Sequence, residues 1–194
     1  MRQRAEAQER SALPDPQAAL SGARLALALK SGGFTLYFRH AATDHSQADR
    51  NQSAFDECSL QRNLSEAGRG DARIVGEAMR AMQLAVSEVI SSPYCRTMDT
   101  ARLMLGRATA SRDAIGHTTP SGKPDYSALE KILATPPEGA RLRMIVSHGN
   151  PLQAIAGGPE LAEGEAAVIR GDGARWTIVA RIRVEDWREL SAKP

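Results

Sequence analysis

Phe34-Thr35-Leu36-Tyr37-Phe38-Arg39-His40 is the stretch on which the architecture turns. Its first five residues favour extended backbone and are mostly apolar, which predicts a strand buried on both faces, as in a parallel sheet. The run stops at an arginine and a histidine. Leu142-Arg143-Met144-Ile145-Val146-Ser147 has the same character and also stops at a histidine, His148. A third run, Val86 to Ser91, leads directly into Ser92-Pro93-Tyr94-Cys95-Arg96. Open α/β sheets bind ligands beyond the carboxyl ends of their strands, where these polar residues stand.

Outward from the strands, helical periods alternate with extended ones. Ser65 caps a predicted helix that carries Ile74, Val75, Ala78, Met79 and Met82 on one face. Thr97–Leu105 predicts a short helix closed by Gly106, and Tyr126–Ala134 another before the Pro136-Pro137-Glu138-Gly139 turn. Pro151–Ala156 predicts a helix with Asn150 as N-cap and Pro151 at the first helical position. Upstream, Pro16 to Lys30 is modestly amphipathic and stops at Gly32-Gly33. Near the end, Ala166–Arg170 and Trp176–Arg183 flank Gly171-Asp172-Gly173, a hairpin signal. Strand and helix in alternation, closed by a hairpin, predict an α/β fold: a three-layer α/β/α sandwich with a mostly parallel central sheet. Residues 1–15 are expected to be a flexible lead-in, and residues 16–194 a single domain. Two polar, aperiodic stretches, Ala41 to Asn63 and Ala108 to Asp125, are long enough to be read as functional loops.

Composition narrows the classes. The 194 residues carry 25 Lys+Arg against 23 Asp+Glu, a net charge of +2, so no charge imbalance points to a polyanion. Of the basic residues 21 are arginine, but they are scattered and form no basic run, which argues against nucleic-acid binding. No apolar run is long enough to span a membrane. Met1 to Pro16 is polar and lacks the apolar core of a secretory signal. The compartment stays open: periplasmic if a leader has been removed, otherwise cytoplasmic. Two cysteines, Cys58 and Cys95, allow at most one bridge and form no CxxC metal site.

The chemistry is read by elimination and then by fit. The sequence holds no Gly-x-x-x-x-Gly-Lys-Ser/Thr loop and no Gly-x-Ser-x-Gly elbow. Cys58 has Arg62 four positions later and Cys95 has Arg96 beside it, neither being the spacing of a cysteine phosphatase loop. The four histidines lack zinc-ligand spacing, so no metal or other cofactor is expected. What fits is a phosphoryl site of imidazole and guanidinium. A neutral imidazole is a competent nucleophile near neutral pH, and planar guanidinium forks match the oxygens of a phosphoryl group. Two arginines and a second, cationic histidine would supply the charge without a metal.

Leu36-Tyr37-Phe38-Arg39-His40-Ala41-Ala42-Thr43 resembles the Arg-His-Gly box of the histidine phosphatase superfamily, the phosphoglycerate-mutase-like fold. Asn63-Leu64-Ser65-Glu66-Ala67-Gly68-Arg69 resembles its Leu-Ser/Thr-x-x-Gly helix start, and Ser91 to Ala101 its second-arginine motif. Val146-Ser147-His148-Gly149-Asn150 resembles its second-histidine motif. The four fall in family order. The resemblance implies that His40 is phosphorylated during turnover and that Arg39, Arg96 and His148 bind the phosphoryl oxygens, with a backbone donor near Gly149. It also implies either a phosphomonoesterase or phosphohistidine phosphatase, a mutase, or a non-catalytic phosphate-binding domain of the same fold.

Two departures stand out. The first box reads Arg-His-Ala, one carbon more than the family's glycine, as a roomy turn would accept. The mutase glutamate, expected some way after the second arginine, has no match near Gly122 to Ala128 except Asp125. Asp44 and Glu165 are the other candidates for a general acid; Glu163 and Glu165 would share one side of the chain if a strand starts that early. Some superfamily phosphatases work without a dedicated acid. The segment Leu161 to Ala166 resembles a bacterial, often exported subgroup that includes lipopolysaccharide core heptose phosphatase-like proteins. In such a compartment Cys58 would bridge to Cys95 beside the pocket. Specificity is assigned to the loops Ala41–Gln61 and Ala108–Asp125, whose polar character predicts a small hydrophilic phosphorylated substrate or a phosphoprotein.

Overall fold

The structure is a computed structural model that describes residues 20–51 and 54–193. The predicted lead-in, residues 1–15, and the start of the first predicted helix lie outside them. In chain order the first half comprises α1 (Gly22–Ser31), β1 (Thr35–Arg39), α2 (Glu66–Ala81), β2 (Val86–Ser91), α3 (Cys95–Leu105) and β3 (Thr109–Ala110). The second comprises β4 (His117–Thr118), β5 (Pro124–Asp125), α4 (Ser127–Ala134), β6 (Leu142–Ser147), α5 (Gly149–Ala156), β7 (Ala166–Gly171), β8 (Trp176–Ile182) and α6 (Asp186–Ser191).

Six strands form one sheet in the order β3-β2-β6-β1-β7-β8. The first four are mutually parallel, while β7 runs antiparallel to β1 and β8 antiparallel to β7. Side chains alternate across this sheet, and the two faces bury different sets. Leu36, Phe38, Met144, Val146 and Val168 point to one core, which takes in buried residues of α1, α2, α3 and α6. Tyr37, Ile145, Ala167 and Ile169 point to the other, beneath Leu129 and Leu133 of α4 and Leu152 of α5. Both cores are apolar, and the fold is the mixed α/β sandwich that the alternation predicts.

Register does the positioning. In the parallel β1/β6 pair Arg39 stands opposite Ser147, so the next residues, His40 and His148, leave the sheet side by side. On the other flank of β6, Ser91 of β2 stands opposite Val146, which delivers Ser92 and the start of α3 to the same edge. Sequence motifs far apart in the chain are thereby joined at one end of the sheet.

The Leu-Ser-x-x-Gly stretch acquires a physical meaning here. Ser65 caps α2 by accepting a hydrogen bond from the Gly68 amide at 3.1 Å, and its own amide donates to the Ala42 carbonyl at 3.0 Å. A Cβ at Gly68 would collide with that same carbonyl, so only glycine lets α2 press against the chain just after His40.

Three local expectations change. The N-cap of α5 is His148, not Asn150, because the helix begins at Gly149 as soon as β6 ends. The aperiodic stretch after Ala108 contains β3, a 3-10 turn at Arg112–Ala114 and the β4/β5 hairpin, elements too short to show a period. Ala41 is fully buried in the larger core rather than lying in a roomy turn. Its backbone needs no glycine: among the described non-glycine residues only Gln83 has positive φ.

Candidate active site

His40 is 3% exposed. Its Nδ1 lies 2.9 Å from the Ala41 carbonyl oxygen, which can only accept, so the proton of the neutral ring resides on Nδ1. Nε2 therefore carries the free lone pair. Burial, only partly opposed by the Ala41 hydrogen bond and reinforced by the Arg96 charge, lowers the His40 pKa to about 4. The His148 ring packs edge-on against His40, with centroids 5.5 Å apart. Burial first, then the charges of Arg96, His40, Arg39 and Arg62, push its pKa well below the ordinary value. The second histidine is thus neutral where the sequence argument wanted a cation. A phosphoryl dianion among these groups would reverse the local field and draw a proton back onto the imidazoles. Tyr37 Oη donates to the His148 carbonyl at 2.8 Å and fixes its backbone, while Ser92 Oγ lies 3.0 Å from His148 Nε2 and holds the ring.

These rings make a titration prediction. Imidazole carbon shifts of His40 should stay flat from pH 8 to about 5 and move with a midpoint near 4. Because the folded pKa is depressed, the unfolded chain binds this proton more tightly. The associated stability is full above the ordinary histidine pKa and is lost as pH falls through about 4. A midpoint near 6.5 would contradict the burial argument.

The arginines arrive differently. Arg96 lies in the first turn of α3, with its guanidinium 4.5 Å from the Tyr94 ring centre and 2.9 Å from Asp49 Oδ1. Arg39 donates to the Leu161 carbonyl at 2.8 Å and lies 3.4 Å from Glu160. The Nε atoms of Arg39, Arg62 and Arg96 are buried without a hydrogen-bond partner in the protein. Gly149 opens α5, whose first turn leaves amides without intrahelical partners. A Cβ at Gly149 would collide with the Glu160 carboxylate. Cys58 and Cys95 are joined by a disulfide that ties the loop after His40 to the start of α3.

A cavity of about 760 Å³ opens on this edge, lined by Arg96 and His148 together with Asp49, Tyr94, His117 and Tyr126. Both loops assigned to specificity contribute walls. A second cavity, of about 830 Å³ between α4 and the Gly173–Ile178 segment, contains none of the candidate residues.

The acid candidates are engaged elsewhere. Asp44 accepts from the Ser46 hydroxyl at 2.7 Å and the Ser46 amide at 2.9 Å, which hold its carboxyl below the ordinary range. Asp125 accepts from the Ser127 amide at 2.9 Å, with the same effect. Glu165 forms a two-pronged pair with Arg181, both contacts at 2.8 Å. Burial, the largest single influence, would raise the Glu165 pKa, but the hydrogen bonds from Arg181 and the Ala162 amide and the charges of Arg181 and Arg183 together lower it. The carboxylate that does reach His40 is Glu163, whose Oε1 lies 4.0 Å from His40 Nδ1 and 4.0 Å from Arg39 Nη2. Thr43 fixes it through its hydroxyl at 2.8 Å and its amide at 3.2 Å. Glu163 and Glu165 do not share a side, because β7 starts only at Ala166 and the chain turns at Gly164 with φ +80°.

Residues 36–114 match the family model of the histidine phosphatase superfamily, branch 1. Over that stretch the chain is similar to the histidine phosphatase superfamily. The protein histidine phosphatase SixA, solved with tungstate, superposes with TM-score 0.55 at 18% identity, covering 79% of this chain and 98% of SixA. A mycobacterial glucosyl-3-phosphoglycerate phosphatase gives 0.52 at 17% identity over 75% and 96% of the two chains. Phosphoglycerate mutase from Bacillus anthracis gives 0.52 at 11% over 83% and 98%. At such identities the likeness is one of fold. No curated protein matches the sequence significantly.

The structure brings Arg39, His40, Arg96 and His148 to one strand edge and leaves Asp44, Asp125 and Glu165 in local pairings. Sequence reasoning passed over Arg62 and noted Glu163 without making it a candidate. Arg62, weighed only against a cysteine loop, has a charge that depresses both His148 and Arg96. Its carbonyl also accepts from Arg96 at 3.4 Å. Its place just before the Asn63-Leu64-Ser65 helix start was the available signal. Glu163 could have been singled out by its neighbour Gly164, since a glycine between two glutamates sends their side chains apart.

Proposed function

We propose that the protein is a phosphatase that cleaves a phosphomonoester or phosphohistidine through a covalent phosphohistidine at His40, without a metal. One observation carries this reading: His40 is buried and neutral, with Nδ1 committed to the Ala41 carbonyl, so Nε2 is left as a nucleophile beside Arg39, Arg96 and His148. In the first step the Nε2 lone pair attacks phosphorus, the bond to the leaving group breaks, and that group leaves with the electron pair and takes up a proton. In the second step water attacks the phosphohistidine, the P–N bond breaks, its electron pair returns to Nε2, and phosphate departs as water gives up a proton. The guanidinium groups supply the charge that a metal would otherwise bring. Residues 16–194 serve as the single domain that holds this site.

The test is phosphate release from an aryl phosphate with a chelator present, together with alkaline quenching to capture the acid-labile phosphoenzyme. Release and capture are expected. Strict metal dependence would remove the mechanism. Absence of turnover on any phosphate ester, with inorganic phosphate still protecting the fold against heat, would instead identify a phosphate-binding domain.

Glu163 fits as a positioning residue. Its charge favours the cationic ring that forms when Nε2 is phosphorylated and Nδ1 keeps its proton. Glu163→Gln should slow hydrolysis about tenfold to a hundredfold, the scale of one charge pair at this distance in a partly solvated site. It should also lower the His40 titration midpoint, and Glu163→Asp should restore part of the rate. An unchanged midpoint in Glu163→Gln would assign the residue a structural role only.

A further inference from the structure

The cavity that contains Arg96 and His148 has a second cation on its wall, Arg112. An aromatic ladder connects the two guanidinium groups. Arg96 lies over Tyr94, Tyr94 meets Phe55 edge-on at 5.1 Å between ring centres, and Arg112 lies over Phe55 at 5.4 Å. The two charges therefore stand on one wall, two rings apart.

Their charge environments differ. Asp49 neutralises Arg96 at 2.9 Å, just as Glu160 faces Arg39 and Glu165 faces Arg181. Arg112 has no carboxylate within 4.0 Å among the described residues, and its neighbour Asp113 is occupied by His117 at 2.7 Å. The backbone that carries Arg112 is firmly held. The Ser111 amide donates to the Ser91 carbonyl at 2.8 Å, Ser147 Oγ donates to the Ala114 carbonyl, and Ala114 is fully buried. An uncompensated cation on a core-anchored turn, at the far end of a polar cavity, matches an anion on the substrate.

We propose that the substrate is a small polar phosphomonoester with a second anionic group, carboxylate or phosphate. Arg112 holds that second group while the transferring phosphoryl group lies among Arg39, Arg96 and His148. The proposal rests on the phosphatase reading above and names the substrate class of the same site. Tyr94 and Phe55 form the floor between the two anions and suit a short, partly apolar or sugar-like spacer.

Two homologous series test it. ω-Carboxyalkyl phosphates and ω-phosphoalkyl phosphates of increasing chain length are compared with the matching alkyl phosphates, reading kcat/KM by phosphate release. At one length the doubly anionic compound should exceed its alkyl counterpart about tenfold or more, and the better series tells carboxylate from phosphate. Arg112→Gln should bring that ratio close to one, and Arg112→Lys should keep part of it. Calorimetric binding of the corresponding non-hydrolysable phosphonates to wild type and Arg112→Gln reads the same subsite without turnover. No turnover but a preserved, Arg112-dependent preference in binding would overturn the phosphatase reading alone. Equal binding and turnover of singly and doubly anionic compounds at every length, or a ratio unchanged in Arg112→Gln, would overturn the second-anion subsite.

Discussion

His40→Ala should lose about 10⁴-fold or more of phosphate release, with no phosphoenzyme captured on quenching. The expectation follows from what the substitution removes and what it leaves. It removes the ring nitrogen, Nε2, that the Nδ1–Ala41 hydrogen bond leaves with a free lone pair. It leaves Arg39, Arg96 and His148, whose positions are set by β6, α3 and the loop contacts of Asp49 and Leu161 rather than by the His40 ring. Phosphate should therefore still protect the variant against heat, although less strongly. The loss belongs in kcat. His40→Asn keeps more of the polar volume and controls for the space opened next to Ala41. If either variant turned over within tenfold of wild type, His40 would not be the nucleophile, and the pairing of its Nδ1 with Ala41 would be a structural hydrogen bond alone.

The strands that build the site were legible because each is a short apolar run ending in polar residues, a pattern that only a buried parallel strand reconciles with sequence. Their adjacency was not legible. It depends on Arg39 standing opposite Ser147 and Ser91 opposite Val146, a register that no local pattern encodes. Helix α6 escaped because six residues with one buried tryptophan show no period, although Trp187 stacks on Phe38, in the strand that leads to His40, at 5.9 Å. The acid candidates illustrate a different limit. Asp44 and Asp125 are candidates by their distance along the chain from the motifs, and Glu165 by the acidic segment in which it stands. A carboxylate's role depends on which donors reach it, and local amides and Arg181 had already taken these three. Glu163 was equally visible as a residue. Only the turn at Gly164 made it the one beside His40.

Breaking the Cys58–Cys95 bridge, by reduction or by the Cys58→Ser/Cys95→Ser double change, should cost about 3–4 kcal/mol of stability in the loop-entropy view, for a closed loop of 37 residues. In a chain of this length that corresponds to a fall of about 8–15 °C in Tm. The function should suffer as well, since the bridge spans the contacts that aim Arg96. Cys95 opens α3 one residue before Arg96, and its amide donates to Gln61 Oε1 at 2.9 Å. Gln61 in turn donates to the Ala54 and Phe55 carbonyls, and the same loop supplies Asp49 and the Arg62 carbonyl to the Arg96 guanidinium. Releasing the loop frees two partners of Arg96, the side chain proposed to bind phosphate, so KM should rise more than kcat falls. Reductant applied to the double variant should change nothing further, which separates the bridge from any other effect of the reagent. Intact mass of protein never exposed to reductant should show no free thiol. Two free thiols with a full wild-type Tm would mean that the loop is held by Gln61 and Asp49 alone.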